Sequence, residues 1–161
     1  MNIRQMTTKD LETVATVHQA AFVRQKMSLE WISANFAAYP RMQFFVAERD
    51  GAIVGFIHWT QRSGFREQVV LELEQIAVHP DHHGQGIGRA LIEQTLPLVE
   101  AQVGERGATI KHIIVTTRAD NYAQSLYKKT LGAEVEATIT DLYSADEVYM
   151  IARHIKIPLT N

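Results

Sequence analysis

The sequence contains no cysteine. Disulfides, thiolate metal sites and a cysteine nucleophile are therefore excluded, and any group transfer must use another nucleophile or pass directly from donor to acceptor. Long apolar runs are missing as well. The longest near-continuous one, residues 52–59, is far too short to cross a bilayer. No charged-then-apolar segment opens the chain, because Met1-Asn2-Ile3-Arg4 reads straight into a strand. A cytoplasmic location and no membrane partner are expected. Basic excess is also lacking: 16 Lys and Arg stand against 18 Asp and Glu, a formal charge of −2. A phosphate-backbone binder usually carries the opposite balance, so nucleic acid is not an expected partner.

What is present suits one ordinary globular domain over residues 1–161, with 46% hydrophobic and 21% charged residues. No repeat, low-complexity tract or Pro/Gly/Ser linker divides it. Residues 2–6 read as a short strand, and Thr8 or Asp10 is placed to cap the next helix. Leu11, Val14, Ala15, Val17 and His18 recur with helical spacing to about Phe22. A second helix begins at Ser28-Leu29-Glu30-Trp31 and stops before Pro40. Two strands, residues 43–48 and 53–60, flank Arg49-Asp50-Gly51, where Asp-Gly signals a hairpin. An exposed loop over 62–66 and a long strand over 69–78 lead into a glycine-rich loop. Beyond it, Ile87, Ala90, Leu91, Thr95 and Leu98 share one helical face, and Pro97 is expected to kink that helix or open a new turn. A strand over 112–117, a helix over 121–130 and strands over 134–142 and 147–154 close the chain. The order β-α-α-β-β-β-α-β-α-β-β predicts an α/β (α+β) domain, a mixed sheet with packed helices.

A strand running into Gly84-x-Gly86-x-Gly88 and then an amphipathic helix carries chemical meaning. Glycines let the backbone turn tightly and bring its N–H groups close to a ligand. The helix start adds unpaired donors and the positive end of the dipole, which suits a phosphate or pyrophosphate. The plain alternative is a glycine-rich turn with no ligand. A P-loop would end Gly-Lys-Ser/Thr, whereas this loop ends Gly88-Arg89-Ala90. A dinucleotide-binding Rossmann loop would need a small residue where Arg89 stands, and an early βαβ unit in place of this strand-rich first half.

The run Ile76-Ala77-Val78-His79-Pro80-Asp81-His82-His83-Gly84-Gln85-Gly86-Ile87-Gly88-Arg89-Ala90-Leu91 resembles the acetyl-CoA signature of the GNAT superfamily of N-acetyltransferases. That signature is a strand ending Val-x-Pro, then Arg/Gln-x-x-Gly-x-Gly/Ala opening a helix. The element order is similar over nearly the whole chain, which implies a mixed, mostly antiparallel central sheet with helices on both faces. The resemblance implies acetyl-CoA as co-substrate and no metal. Backbone groups of Ile76 and Val78, on either side of Ala77, would pair with the pantetheine arm like an added strand. Backbone amides of Gly84, Gln85, Gly86, Ile87, Gly88 and Arg89 would hold the pyrophosphate. The Arg89 side chain would add a phosphate contact, or else is an ordinary exposed helix residue. His83 stands where the family has Arg or Gln, in a segment whose donor contacts are largely backbone.

A second stretch, Asp120-Asn121-Tyr122-Ala123-Gln124-Ser125-Leu126-Tyr127, resembles the family's Asn-x-x-Ala-x-x-Leu-Tyr. Ala123, Leu126 and Tyr127 match in phase. Asp120 takes the asparagine position and Asn121 lies one residue late; Gly132 is also one late, and Ala133 replaces an aromatic. A one-residue insertion accounts for this and leaves the asparagine assignment, Asn121 as a donor-site residue, open. The resemblance makes Tyr127 the general acid for the departing thiolate; the alternative is a packed helix tyrosine.

An alkylammonium must lose a proton before its nitrogen can attack a thioester. Glu72 and Glu74 share one strand face, opposite Leu71 and Leu73. The resemblance implies a base at one of them, with preference for Glu74; ordinary strand polarity is the alternative. Residues 115–118, Val-Thr-Thr-Arg, carry no carboxylate of the kind found in some protein N-terminal acetylases of the family. The implied activity is transfer of an acetyl group to a primary amine of a small molecule or protein, with a non-catalytic acyl-CoA-binding or sensor protein as alternative. His79-x-Asp81-His82-His83 also has metal-ligand character, without further ligand motifs near His112 or His154. The acceptor site is expected around Phe22, Met27, Leu29, Trp31 and the loop 61–68, where Arg62 and Arg66 would favour an acidic group. Relatives that dimerise through sheet edges make a homodimer compatible with this reading.

Overall fold

The computed structural model describes residues 1–155. The last six residues of the expected domain lie outside the described residues. Seven strands and four helices follow the expected order: β1 (Asn2–Gln5), α1 (Leu11–Ala21), α2 (Ser28–Phe36), β2 (Met42–Arg49), β3 (Ala52–Gln61), β4 (Gln68–Val78), α3 (Ile87–Gly104), β5 (Thr109–Arg118), α4 (Ala123–Leu131), β6 (Glu134–Ile139) and β7 (Glu147–Ala152). The sheet order is β1-β2-β3-β4-β5-β7-β6. β1–β2, β2–β3, β5–β7 and β6–β7 are antiparallel, and β4 runs parallel to β5. This is the mixed, mostly antiparallel sheet the sequence predicts. The chain groups into two compact units, Met1–Thr60 with Gln75–Thr95, and Gln61–Glu74 with the residues from Leu96 onward. No helix among the described residues is long and apolar enough to cross a membrane.

In the first unit, a 3-10 turn over Thr8–Asp10 precedes α1; Thr7 caps that turn, and Asp10, one of the two expected caps, stands at the N-cap of α1 without a side-chain cap bond there. Asp10 closes the box from the other side: its carboxylate accepts the Thr7 N–H at 2.8 Å and the Thr7 hydroxyl at 2.9 Å. The Arg4 guanidinium grips the same carboxylate with bonds of 2.8 and 2.9 Å, which holds Asp10 well below the ordinary carboxylate range. Val14 and Val17 of α1 and Ile32 of α2 bury against Met42, Phe44, Val46 and Phe56. The β2–β3 hairpin turns at Asp50 and Gly51, both with positive φ (51° and 79°), as its dipeptide predicts.

Two polar arrangements sit inside this core. The Trp59 indole N–H donates to Thr95 Oγ1 at 2.8 Å, and that hydroxyl donates to the Leu91 carbonyl at 2.7 Å, so both buried polar groups are satisfied. His58 is fully buried and stacks on Phe44, with ring centroids 4.4 Å apart. Its Nε2 lies 3.4 Å from Gln75 Oε1, and its Nδ1 is buried without a hydrogen-bond partner among the described residues. Burial pushes the His58 pKa down to about 3, so the ring is neutral in the fold.

In the second unit, Ile113, Ile114 and Val115 of β5 and Val148, Met150 and Ala152 of β7 are buried, while β6 is exposed along its whole length. α3 is one helix through Pro97 to Gly104 and is not interrupted there. Its buried stripe runs through Ile92, Leu96, Val99 and Val103, and Leu98, expected on the buried face, is 47% exposed. The closing strands end earlier than predicted, at Ile139 and Ala152; β6 gives way to a turn in which the Asp146 carboxylate accepts the Asp141 N–H at 3.0 Å.

The buried histidine makes stability depend on pH. The unfolded chain takes up a proton at His58 below about pH 6.5, while the folded chain refuses it until about pH 3. Stability present above pH 6.5 is therefore lost on acidification through that window, by about 1.4 kcal/mol per pH unit. Urea unfolding at pH 7 and pH 5 should show this fall in the wild type and a shallower one in His58→Gln. Equal slopes would rule out His58 as the cause.

Candidate functional site

The donor segment lies in the first unit and is built by the end of β4. Ala77 is buried, with Ile76 and Val78 half-buried around it. β3 approaches here so closely that a Cβ on Gly55 would stand 2.9 Å from the Ala77 carbonyl oxygen. The chain stays on β3 one step further, with the His79 N–H donating to the Val54 carbonyl at 2.8 Å. A 3-10 turn over Pro80–His82 then swings the backbone toward α3. Gly84 and Gly86 have φ of +73° and +75°, a left-handed conformation in which a side chain is strained, and no atom lies within 4 Å of where a Cβ would be. These two residues are glycine because of backbone conformation, not crowding. The loop residues 83–86 are exposed, and α3 begins at Ile87. The amides expected to hold a pyrophosphate thus belong to the exposed loop, Gly84 to Gly86, and to the first turn of α3, Ile87 to Arg89.

Side chains around this loop are partly committed. His83 Nε2 donates to the Val78 carbonyl at 2.8 Å, tying the loop back to β4. Its ring takes a bracing part that the motif does not reveal. The Arg89 guanidinium donates to Glu93 at 2.8 Å, one helical turn on. Gln85 accepts a hydrogen bond on its side-chain oxygen from Arg49, at the end of β2. Asp81 donates its backbone N–H to His79 Nδ1 at 3.3 Å. Among the described residues, no three His, Cys, Asp or Glu side chains gather in a group able to hold a metal ion.

The candidate acid and base lie in the second unit. Tyr127 sits on α4 with Ala123 and Leu131 one turn before and after it, and only 6% of it is exposed. Burial pushes its phenol up to about 12, so the hydroxyl keeps its proton at neutral pH. Asn121 organises the start of α4: its Oδ1 accepts the Ala123 N–H at 2.9 Å, and its Nδ2 donates to Thr117 Oγ1 at 2.9 Å. Asp120, the other claimant to the motif's asparagine position, pairs with Arg118 at 2.9 Å.

Glu72 is 8% exposed and accepts a hydrogen bond from Arg62 at 2.7 Å. Glu74, two residues along the strand, is half-buried. Tyr149, on β7, was not singled out by sequence. Burial first, and then the Glu72 carboxylate, raise its phenol, with Arg62 opposing. Arg62, Glu72 and Tyr149 thus form one electrostatic cluster. Tyr149 left no sequence signal, because only strand pairing brings β7 to this part of the unit.

Of the residues expected around an acceptor, Met27 and Leu29 line a cavity of about 450 Å³ between α1 and α2, together with Glu12, Gln19, Gln25 and Glu30. The Trp31 indole N–H donates to Gln75 Oε1 at 3.0 Å, and the Gln75 amide donates to Gln25 Oε1 at 3.4 Å. Phe22 packs against the core.

The sequence profile of the acetyltransferase (GNAT) domain family matches residues 40–130, more than half of the chain. The chain belongs to the GNAT acetyltransferase family. An uncharacterized N-acetyltransferase of Mycobacterium tuberculosis is 32% identical over 130 residues, covering 79% of this chain and 74% of that protein. The L-amino acid N-acyltransferase MnaT of Escherichia coli is 30% identical over 114 residues, 68% of this chain. This GNAT chain spans only 59% of MnaT and 62% of an uncharacterized N-acetyltransferase of Methanocaldococcus jannaschii. The fold is shared with the ribosomal-protein-S18-alanine N-acetyltransferase of Escherichia coli, with a TM-score of 0.72 at 23% identity over 99% of this chain and 96% of that one. An aminoglycoside 6'-N-acetyltransferase complexed with coenzyme A superposes with a TM-score of 0.74 at 16% identity, covering 98% of this chain and 99% of that one.

Two substitutions separate steric from conformational demand in the donor segment. Gly55→Ala should destabilise the protein by about 1–3 kcal/mol, because its Cβ meets a backbone oxygen that cannot move aside cheaply. Gly86→Ala should cost about 1–2 kcal/mol through strained φ alone. Thermal or urea unfolding of the two variants checks both, and a neutral Gly55→Ala would show that β3 and β4 are not held at this spacing.

Proposed function

We propose that this chain is one acetyltransferase domain that moves an acetyl group directly from acetyl-CoA to a primary amine of a small molecule or protein. The observation that carries the proposal is the left-handed Gly84/Gly86 loop opening α3 in a chain of the GNAT family. In this reading the amides from Gly84 to Arg89 receive the pyrophosphate, and the backbone of Ile76 and Val78, with Ala77 between them, pairs with the pantetheine arm. The relative named for L-amino acids supports an amine acceptor as the class.

With no cysteine in the chain, direct transfer is the simplest chemistry. The base takes a proton from the alkylammonium, the freed nitrogen attacks the thioester carbonyl, and the C–S bond breaks. The leaving thiolate takes a proton from a nearby acid, and the nitrogen, on becoming a neutral amide, sheds a second proton that restores the acid. Tyr127 is assigned the acid because it stands in phase with the family's motif tyrosine and its phenol carries a proton at neutral pH. Glu74 is the assigned base. Glu72 is assigned a positioning part, because its carboxylate is already held by Arg62. Asn121 supports the site by fixing the start of the helix that carries Tyr127.

Activity against a panel of primary amines, read as thiol release from acetyl-CoA, tests the proposal. Tyr127→Phe should lower kcat by roughly 10²–10⁴-fold, with the KM for acetyl-CoA little changed. Unchanged turnover would remove Tyr127 from the acid role. The Glu72→Gln/Glu74→Gln double variant should lose the rise of rate with pH that a carboxylate base imposes; a retained profile would remove Glu74 from the base role.

A further inference from the structure

We infer that Arg49, at the end of β2, is a phosphate-binding cation of the donor site. The inference rests on the donor-site reading above and adds a residue that the glycine-loop motif does not contain. Within the first unit, Arg49 donates a hydrogen bond to the side-chain oxygen of Gln85, the residue between the two left-handed glycines. That bond holds the guanidinium beside the loop whose amides begin α3.

Charge accounting makes the position informative. Two other arginines of this unit are paired with carboxylates: Arg4 has Asp10 and Glu48, and Arg89 has Glu93. No carboxylate pairs with Arg49 among the described residues. A guanidinium with only a neutral amide partner therefore stands next to the unpaired N–H groups and the positive dipole end of α3. Two positive features at one place repel until an anion arrives, and a phosphate relieves both. Arginine suits this role through its forked donors, of which one set is used by Gln85 and the rest remain for phosphate oxygens. Arg89, the cation the motif points to, is instead turned along its helix toward Glu93.

Coenzyme A offers two phosphate sources, the pyrophosphate and the 3'-phosphate. Calorimetric titration of the whole chain with coenzyme A and with 3'-dephospho-coenzyme A separates them. Arg49→Gln and Arg49→Ala should each weaken coenzyme A binding by roughly 10-fold or more, with a smaller loss in Arg49→Lys and a weaker salt dependence in the uncharged variants. A loss seen with both ligands places the contact at the pyrophosphate; a loss confined to coenzyme A places it at the 3'-phosphate. Either result supports the inference when the melting temperature of Arg49→Gln is unchanged. Wild-type affinity in Arg49→Gln and Arg49→Ala for both ligands overturns it, with the donor site intact. Failure of the wild type to bind coenzyme A overturns the donor-site reading and this inference with it.

Discussion

Close approach of β3 to the last residues of β4 governs how the first unit presents its loop. At Gly55 the two backbones come so near that a single methyl group would strike the Ala77 carbonyl, and the His79 N–H extends the contact onto Val54. A strand held this tightly delivers the chain to a fixed point, from which the short 3-10 turn and two left-handed glycines carry it into α3. Precision matters here because backbone N–H groups bind an anion well only when they converge. The His83 ring, bonded to the Val78 carbonyl, braces the same turn from the outside.

Behind the loop, the unit accepts polar groups into its core and satisfies most of them locally. Trp59, Thr95 and the Leu91 carbonyl form a closed chain of hydrogen bonds that locks β3 to the first turns of α3. His58 is different: it stacks on Phe44, touches Gln75 only at long range, and is kept neutral by burial. Gln75 also receives Trp31 and reaches Gln25, so one amide on β4 connects the strand to α2 and to the segment before it. Such a network orders its members together, since an unpaired member would carry the full cost of desolvation.

The second unit handles its ionisable groups by the same rule with opposite results. Tyr127 is buried and its phenol is pushed up by that burial, whereas Glu72, about as buried, is met by Arg62. Asn121 spends both ends of its amide on the start of α4, the helix that carries Tyr127.

By itself the sequence determined the order of elements, the Asp50-Gly51 hairpin, the glycine loop and the phase of Tyr127 on its helix. These are set by local rules: hydrophobic period, turn chemistry and the demand for positive φ. It misplaced what local rules do not control. Asp10 stands at the N-cap of α1 as expected, but its carboxylate turns back to Arg4 and the Thr7 backbone, and Leu98 is exposed because the buried stripe of α3 is chosen by what packs on it, not by spacing alone. Pro97 stays inside a continuous helix for a similar reason, since packing of Leu96, Val99 and Val103 offsets one missing N–H. Only the tertiary structure decided which distant side chains meet: Arg62 with Glu72, and Arg49 with Gln85. Long flexible side chains find partners across strands and turns, and a linear sequence holds no record of which ends meet.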